Sequence, residues 1–327
     1  MTRTDRIEAL ATVAAAWRDP DHPPREQAVA AALDGDNRFT EPALAYTLNH
    51  WTHAFTPEAL NEWVCPDTPD DPQSVGVSHG AAIPADGLRE AVAVLGCGHA
   101  LVAVASADAL LRGFLDAVHD VWPGAPIRWV EDAAVLPRET SVIVNQNVQP
   151  SGSVIDGNES EDEREGWAED VLLYEGAPPS VKVVWAPEGL DPDPYFAALA
   201  QVRGVVPAHD DTPGALQMQR AFLEAQDAPH AVAEGLSFLV SRGDPEPQPS
   251  AHLRWVPYPS LDAVATWIEA HASDWHAIVA REPLHEALPD GLLTPTPGNL
   301  HRPSLKDTAS RAVIQQIETG VGARREA

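Results

Sequence analysis

The chain has 327 residues, 44% of them hydrophobic, which is enough for two domains with a sizeable core and too many for a disordered polymer. Forty-nine acidic residues against 21 basic ones give a formal net charge of −28, so the surface repels phosphate backbones and anionic membranes and argues against nucleic-acid binding. Only Lys182 and Lys306 are lysines; such an acidic excess is tolerable where salt screens it, because the Debye length is only ~3 Å at 1 M, and it points to the cytoplasm of a halophile.

A base-composition bias toward Arg, Ala and Asp would explain the missing lysines but not the net charge. The first 17 residues, MTRTDRIEALATVAAAW, show no secretory apolar core and cleavage pattern. The longest apolar run, AVAVLGCGHALVAVA from Ala91, is too short for a membrane span, which takes about 20 residues. Cys65 and Cys97 are the only cysteines, too few for a disulfide framework and compatible with a reduced compartment. Cys97 lies inside that apolar run and is expected to be a buried, inert thiol.

In chain order, residues 1–72 read as a helical segment. DRIEALATVAAAW has helical apolar spacing with Asp5 as a cap, PREQAVAAAL starts at Pro24, and EPALAYTLNHWTHAF and PEALNEWV place Trp51, Phe55 and Trp63 on buried faces. From Ser74 strands alternate with helices, which implies βαβ units and a parallel sheet. SVGVS, ALVAVAS, PIRWVE and SVIVN read as strands, and DGLREAVAVLG and ADALLRGFLDAVHDVW as helices. Gly96 and Gly98 fall between helix and strand, where a C-cap is expected. SEDEREGWAEDVLLY is an acidic-headed helix, with Asp156, Glu159, Glu161, Asp162, Glu163 and Glu165 suiting the helix dipole. After the turn at Gly176, VKVVWA opens a second α/β stretch, continued by the strands GLSFLVS, HLRWVPY and HAIVARE and the helices between them. A Pro-rich loop, LPDGLLTPTPGNLHRPS, leads to a last helix, LKDTASRAVIQQIETG.

No G-x-G-x-x-G, P-loop or G-x-S-x-G pattern occurs. HGAAIPADG after the first strand stands where a helix amino terminus could hold an anion. The 13 histidines show no paired-ligand spacing, so no metal site is expected. Glu159 could serve as a general base if it faces a cleft.

The order and spacing of these segments resemble the acyl-CoA reductase family typified by the fatty-acid reductase of bacterial bioluminescence, within the aldehyde dehydrogenase superfamily. The likeness runs through NRFTEPALAYTLNHWTHAFTPEALNEWV, SVGVSHGAAIPADGLREAVAVLGCGHALVAVASADALLRGFL, SVIDGNESEDEREGWAEDVLLYEG, VKVVWAPEGLDPDPYFAAL and PTPGNLHRPSLKDTAS, nearly the whole chain. It implies an aldehyde dehydrogenase-like α/β fold of two Rossmann-like three-layer units with a helical N-terminal segment. The implied division is 1–72 helical, 73–176 dinucleotide-binding-like, 177–297 catalytic-like and 298–327 returning to the first unit. The implied chemistry is NAD(P)H-dependent reduction of an acyl-CoA thioester to an aldehyde through a Cys thiolate, with NADPH or NADH as cofactor. An acyl-CoA or another acyl thioester is the implied partner, and a homo-oligomer fits the resemblance.

The sequence departs from the family at each functional position. Gly176, Ala177, Pro178 and Pro179 stand where the family reads Gly-Leu-Gly-Cys. Ala82 stands where an Asn would donate to the oxyanion, and Ala103 where a Lys would face the ribose. The family's nicotinamide-covering segment is missing between Ala133 and Ser153. Gly80, Ala82, Ala103 and Ser106 therefore mark a residual cofactor crevice, while Ser180 and Glu159 are the groups left to act in place of the nucleophile. Three readings stay open: a working reductase, a degenerate relative that binds an acyl thioester or a partner, and an unrelated α/β protein. The charge alone yields a test: unfolding midpoints are expected to rise steeply from low to molar salt, and a flat response in thermal melts would remove the halophilic reading.

Overall fold

A computed structural model describes residues 1–35, 37–79, 82–104, 108–131, 141–145 and 149–322. The chain divides into two compact units, Met1–Gln146 with Pro303–Ala327, and Asn147–Arg302. Each carries its own sheet, of four strands in the first and six in the second.

The first unit opens with four helices, α1 (Arg3–Ala16), α2 (Pro23–Leu33), α3 (Glu41–Ala54) and α4 (Pro57–Trp63). Asp5 is not the cap of α1: Thr2 is, with Asp5 completing a reciprocal capping box from the third helical position. The strands β1 (Ser74–His79), β2 (Ala100–Val104), β3 (Ile127–Val130) and β4 (Ser141–Asn145) are all parallel and lie in the order β3-β2-β1-β4. Parallel strands need crossover helices. Here α5 (Leu88–Cys97) joins β1 to β2, and α6 (Ala109–Val121) joins β2 to β3.

Trp51, Phe55 and Trp63 are buried as their spacing predicts, and Trp17 meets Phe114 edge to face at 5.4 Å. Gly98 is the C-cap of α5 at φ 90°, a left-handed conformation that favours glycine, while Gly96 lies inside the last turn. The closing helix α11 (Thr308–Gly322) belongs to this unit, where the Trp63 indole N–H donates to the Ser310 carbonyl at 3.0 Å.

The second unit contains β5 (Ser151–Val154), α7 (Glu161–Leu172), β6 (Val181–Pro187), α8 (Asp193–Val205), α9 (Thr212–Ala225), β7 (His230–Val232), β8 (Leu239–Arg242), β9 (His252–Tyr258), α10 (Leu261–Ala270) and β10 (Ile278–Ala280). Its strand order is β10-β5-β6-β9-β8-β7, and all pairings are parallel except β7 with β8. One face packs on α7, α8 and α9 through Val184, Leu253 and Trp255; the other holds Val183, Trp185, Trp267 and Trp275.

This arrangement moves the expected boundary. The break at Gly176 is a helix-to-strand turn within one unit, because β5 pairs with β6 (Val154 opposite Trp185) and one sheet runs through Val183. Residues 149–176 therefore belong to the second unit. The texture change at Pro178 and Pro179 marks the turn between α7 and β6 rather than a domain boundary.

The cysteines also differ from expectation. Cys65 follows α4, Cys97 closes α5, and packing of these helices in one core brings their Cα atoms to 4.9 Å, within bridging distance. They form a disulfide, so Cys97 is buried but not a free thiol. Thirty-two residues separate the pair, and a loop of that length is expected to contribute about 3–4 kcal/mol by restricting the unfolded chain. A Cys65→Ala/Cys97→Ala variant should show that loss in denaturant unfolding of the oxidised protein; an unchanged midpoint would mean the thiols are not bridged in solution.

Candidate functional site

The turn that the resemblance aligns with the nucleophile runs from the end of α7 to the start of β6. It is closed by its own backbone, the Ala177 N–H donating to the Tyr174 carbonyl at 2.8 Å and the Ser180 N–H to the Ala177 carbonyl at 3.3 Å. The Ser180 hydroxyl donates to the Tyr174 carbonyl at 2.7 Å, and Ser180 has no exposed surface. Ala177, Pro178 and Pro179 carry no nucleophilic atom. Ser180 is thus a strut of the turn rather than a group offered to a reactant.

Below the turn sits a buried carboxylate, Glu175. It accepts from the Arg203 guanidinium, the Thr212 hydroxyl and the His209 backbone N–H, the last at 3.2 Å. Arg203 comes from α8 and Thr212 opens α9, so one carboxylate ties the turn to both helices. The backbone carbonyl of Glu175 accepts from the Lys182 ammonium at 2.8 Å. Lys182 is buried, and desolvation brings its pKa down to about 8 against the opposing pull of the Glu175 carboxylate. It stands as a cation over carbonyls left open at a helix carboxyl end.

Behind the turn, the ring of Tyr174 meets the edge of His301, centroids 4.8 Å apart. His301 is buried with its Nε2 unpartnered, and burial pulls its pKa down to about 3. Asp170 on α7 accepts the Gly298 N–H at 2.7 Å, yet full burial pushes its carboxyl well above the usual carboxylate range.

Glu159 does not face a cleft. Its carboxylate accepts the Asp156 N–H at 2.9 Å, the Gly157 N–H at 3.0 Å and the Tyr195 hydroxyl. The loop needs Gly157 at φ 85° to fold back on that carboxylate. Burial, followed by the bond to Glu159, raises the Tyr195 pKa. Glu159 therefore holds the entry to α7 and is not free to act as a base.

In the first unit, Gly80 and Ser106 lie outside the described residues. Ala103 is buried in β2 beside Val77, and Ala82 contributes only a backbone N–H, 3.4 Å from Asp86. The helix amino termini that follow β1 and β2 both have acidic residues beside them. Asp86 and Glu90 are buried at α5, and Asp108 caps α6, accepting the Leu110 and Ala85 N–H groups at 2.6 and 2.7 Å. A dinucleotide pyrophosphate requires free N–H donors or cations at such a place. α5 begins at Gly87 with no side-chain hydrogen bond capping it, but the buried Asp86 and Glu90 set negative charge beside that terminus, and Asp108 fills the terminus of α6. Among the described residues no cluster of His, Cys, Asp or Glu could hold a metal, and no helix is long and apolar enough to cross a membrane.

Sequence reading missed Arg203, Thr212, Asp170, His301 and Lys182. Only Lys182 carried a legible signal, as a charge inside the apolar strand VKVVW of a chain with two lysines.

No protein-family model matches the chain, and no curated protein matches it in sequence. Solved structures do. An oxidoreductase from Marinobacter aquaeolei superposes with a TM-score of 0.64 at 10% identity, over 90% of this chain and 77% of that one. An aldehyde dehydrogenase assigned in Burkholderia cenocepacia gives 0.63 at 13%, over 91% and 80%. An NAD-dependent benzaldehyde dehydrogenase from Corynebacterium glutamicum gives 0.60 at 13%, over 97% and 84%. The fold is thus aldehyde dehydrogenase-like, as the resemblance implied.

The two buried histidines of the second unit generate a pH prediction. His301, at about 3, and His252, at about 4 through burial, stay neutral in the folded chain. In the unfolded chain they titrate near ~6.5. Below that pH the unfolded state binds more protons, so stability falls by about 1.4 kcal/mol per pH unit for each histidine. Asp170 works in the opposite direction, because its raised pKa favours the protonated folded state as pH drops. Urea midpoints should decline between pH 6.5 and 5, and a His252→Gln/His301→Gln variant should lose most of that slope; an equal slope in the variant would refute the assignment.

Proposed function

We propose that this chain is a catalytically degenerate relative of acyl-CoA reductases, which retains the aldehyde dehydrogenase-like fold and binds an acyl thioester or a partner protein without reducing it. The observation that carries the reading is the turn from Tyr174 to Lys182. From Ala177 to Ser180, where the family carries its nucleophile, the side chains are a methyl, two pyrrolidine rings and a serine whose hydroxyl is tied to the Tyr174 carbonyl. Acyl transfer needs an activated nucleophile and a donor set for the oxyanion. Ala82 brings no side-chain donor, and losing one such donor commonly lowers the rate ~10²–10³-fold. The carboxylates at the amino ends of α5 and α6 weigh against a nicotinamide dinucleotide as a working cofactor.

The neighbouring structures include enzymes described as aldehyde dehydrogenases, and such a fold carries aldehyde or acyl substrates as the natural ligand class to test. The purified protein is expected to show no NAD(P)H-dependent consumption of long-chain acyl-CoA and no acyl-enzyme in a burst experiment. Pro179→Cys alone should not restore turnover, because the new thiol gains neither an oxyanion donor at Ala82 nor a cofactor site. Turnover of acyl-CoA with NADPH or NADH at enzyme-like rates by the unmodified protein would overturn the proposal.

A further inference from the structure

The second unit carries a pocket of about 170 Å³, formed by residues well separated in sequence from the turn between α7 and β6. It lies at the edge of the six-stranded sheet, between the start of α8 and the strands β7, β8 and β9. The register fixes which side chains line it. Arg242 stands opposite Trp255, and Ala231 opposite Val240, on the face that α8 covers. Side chains alternate between faces, so Ser241 and His230, themselves opposite each other, point to the other side and add backbone to the wall.

The floor is aromatic. Phe196 meets Trp255 edge to face, centroids 5.9 Å apart, and Trp255 is held from behind by Tyr195 at 5.7 Å. Pro192 and Pro229 form flanking walls and have no N–H to offer. The lining is therefore apolar with a single permanent charge, Arg242, which is exposed and whose side chain forms no hydrogen bond or ion pair among the described residues. In a chain of net charge −28, a guanidinium left unpaired over an aromatic pocket is unusual. A cavity of this size suits one benzene ring with a short substituent, and a guanidinium at its mouth suits a carboxylate through paired N–H donors.

We propose that this pocket binds a small aromatic carboxylate of one ring, the ring lying against Trp255 and Phe196 and the carboxylate meeting Arg242. The site is independent of the degenerate-reductase reading, since none of its residues belongs to the turn or to the acyl chemistry.

The test is calorimetric titration of the full-length protein with phenylacetate, benzyl alcohol and acetate, at the lowest salt that leaves its circular dichroism unchanged. Phenylacetate is expected to bind with a dissociation constant on the order of 0.1–1 mM, in keeping with its few heavy atoms. Benzyl alcohol should bind roughly tenfold more weakly, having the ring without the charge, and acetate should give no heat. Arg242→Gln, at an exposed position, should weaken phenylacetate about tenfold and leave benzyl alcohol unchanged. Ala231→Phe should fill the pocket and abolish both; if that variant unfolds, Arg242→Gln still decides. Absence of phenylacetate binding tenfold above the expected constant, equal affinity in Arg242→Gln, or acetate binding as tightly as phenylacetate would each overturn the proposal.

Discussion

One buried carboxylate holds the second unit together. Glu175 sits at the end of α7 and accepts from Arg203 of α8 and Thr212 of α9, while its own carbonyl takes Lys182 of β6. Removing an ion from water costs several kcal/mol, which a single partner rarely recovers. Glu175 recovers it with three donors of fixed position, one of them a largely buried guanidinium. The consequence is directional. A helix, the turn after it and the next two helices can meet in only one way, because any other arrangement leaves Glu175, Arg203 or Lys182 buried and unpaired.

That constraint also keeps polar groups of the turn engaged within the protein. A nucleophile turn has to leave one polar atom unsatisfied so that substrate can use it. Here the Ser180 hydroxyl, the Glu175 carboxylate, the Glu175 carbonyl and the Ala177 N–H each already have a partner. Reactive sites store strain or unmet hydrogen bonds against stability, whereas the Ser180 hydroxyl and the Glu175 carboxylate are bonded inside the unit. Pro178 and Pro179 add to the effect by fixing φ at two successive residues of the turn.

Much of the fold was legible from the chain. The apolar strands VKVVWA and ALVAVAS, alternating with helices along the chain, predict a parallel α/β architecture, because a strand buried on both faces is apolar along most of its length. The domain boundary was not legible. SGSV, the strand β5, is small and polar, and only its burial between β6 and β10 shows that it belongs to the second sheet. The disulfide was hidden for a similar reason: Cys65 and Cys97 lie 32 residues apart, and nothing local states that α4 and α5 end side by side. Glu159 and Ser180 were singled out by position alone, and their partners, Tyr195 and the Tyr174 carbonyl, come from packing that spacing does not encode.

The charge distribution obeys the same physics as the turn. The acidic residues are tolerated on the surface, where salt screens them, whereas the carboxylates inside are each surrounded by donors: Glu159 by two backbone N–H groups and a phenol, Asp108 by two N–H groups, Glu175 by a guanidinium and a hydroxyl. The buried cations obey the same rule with carbonyls, Arg25 donating to Trp17, Arg6 to Gly96 and Lys182 to Glu175. Lysine is nearly absent from this chain, yet one of its two copies lies inside the second unit. Arginine would bring five donors to a place that offers little more than a helix-end carbonyl, leaving the remainder unsatisfied in a dry site. A point charge on a flexible stem is the smaller burden, and Lys182 there ties β6 to the Glu175 carbonyl after α7.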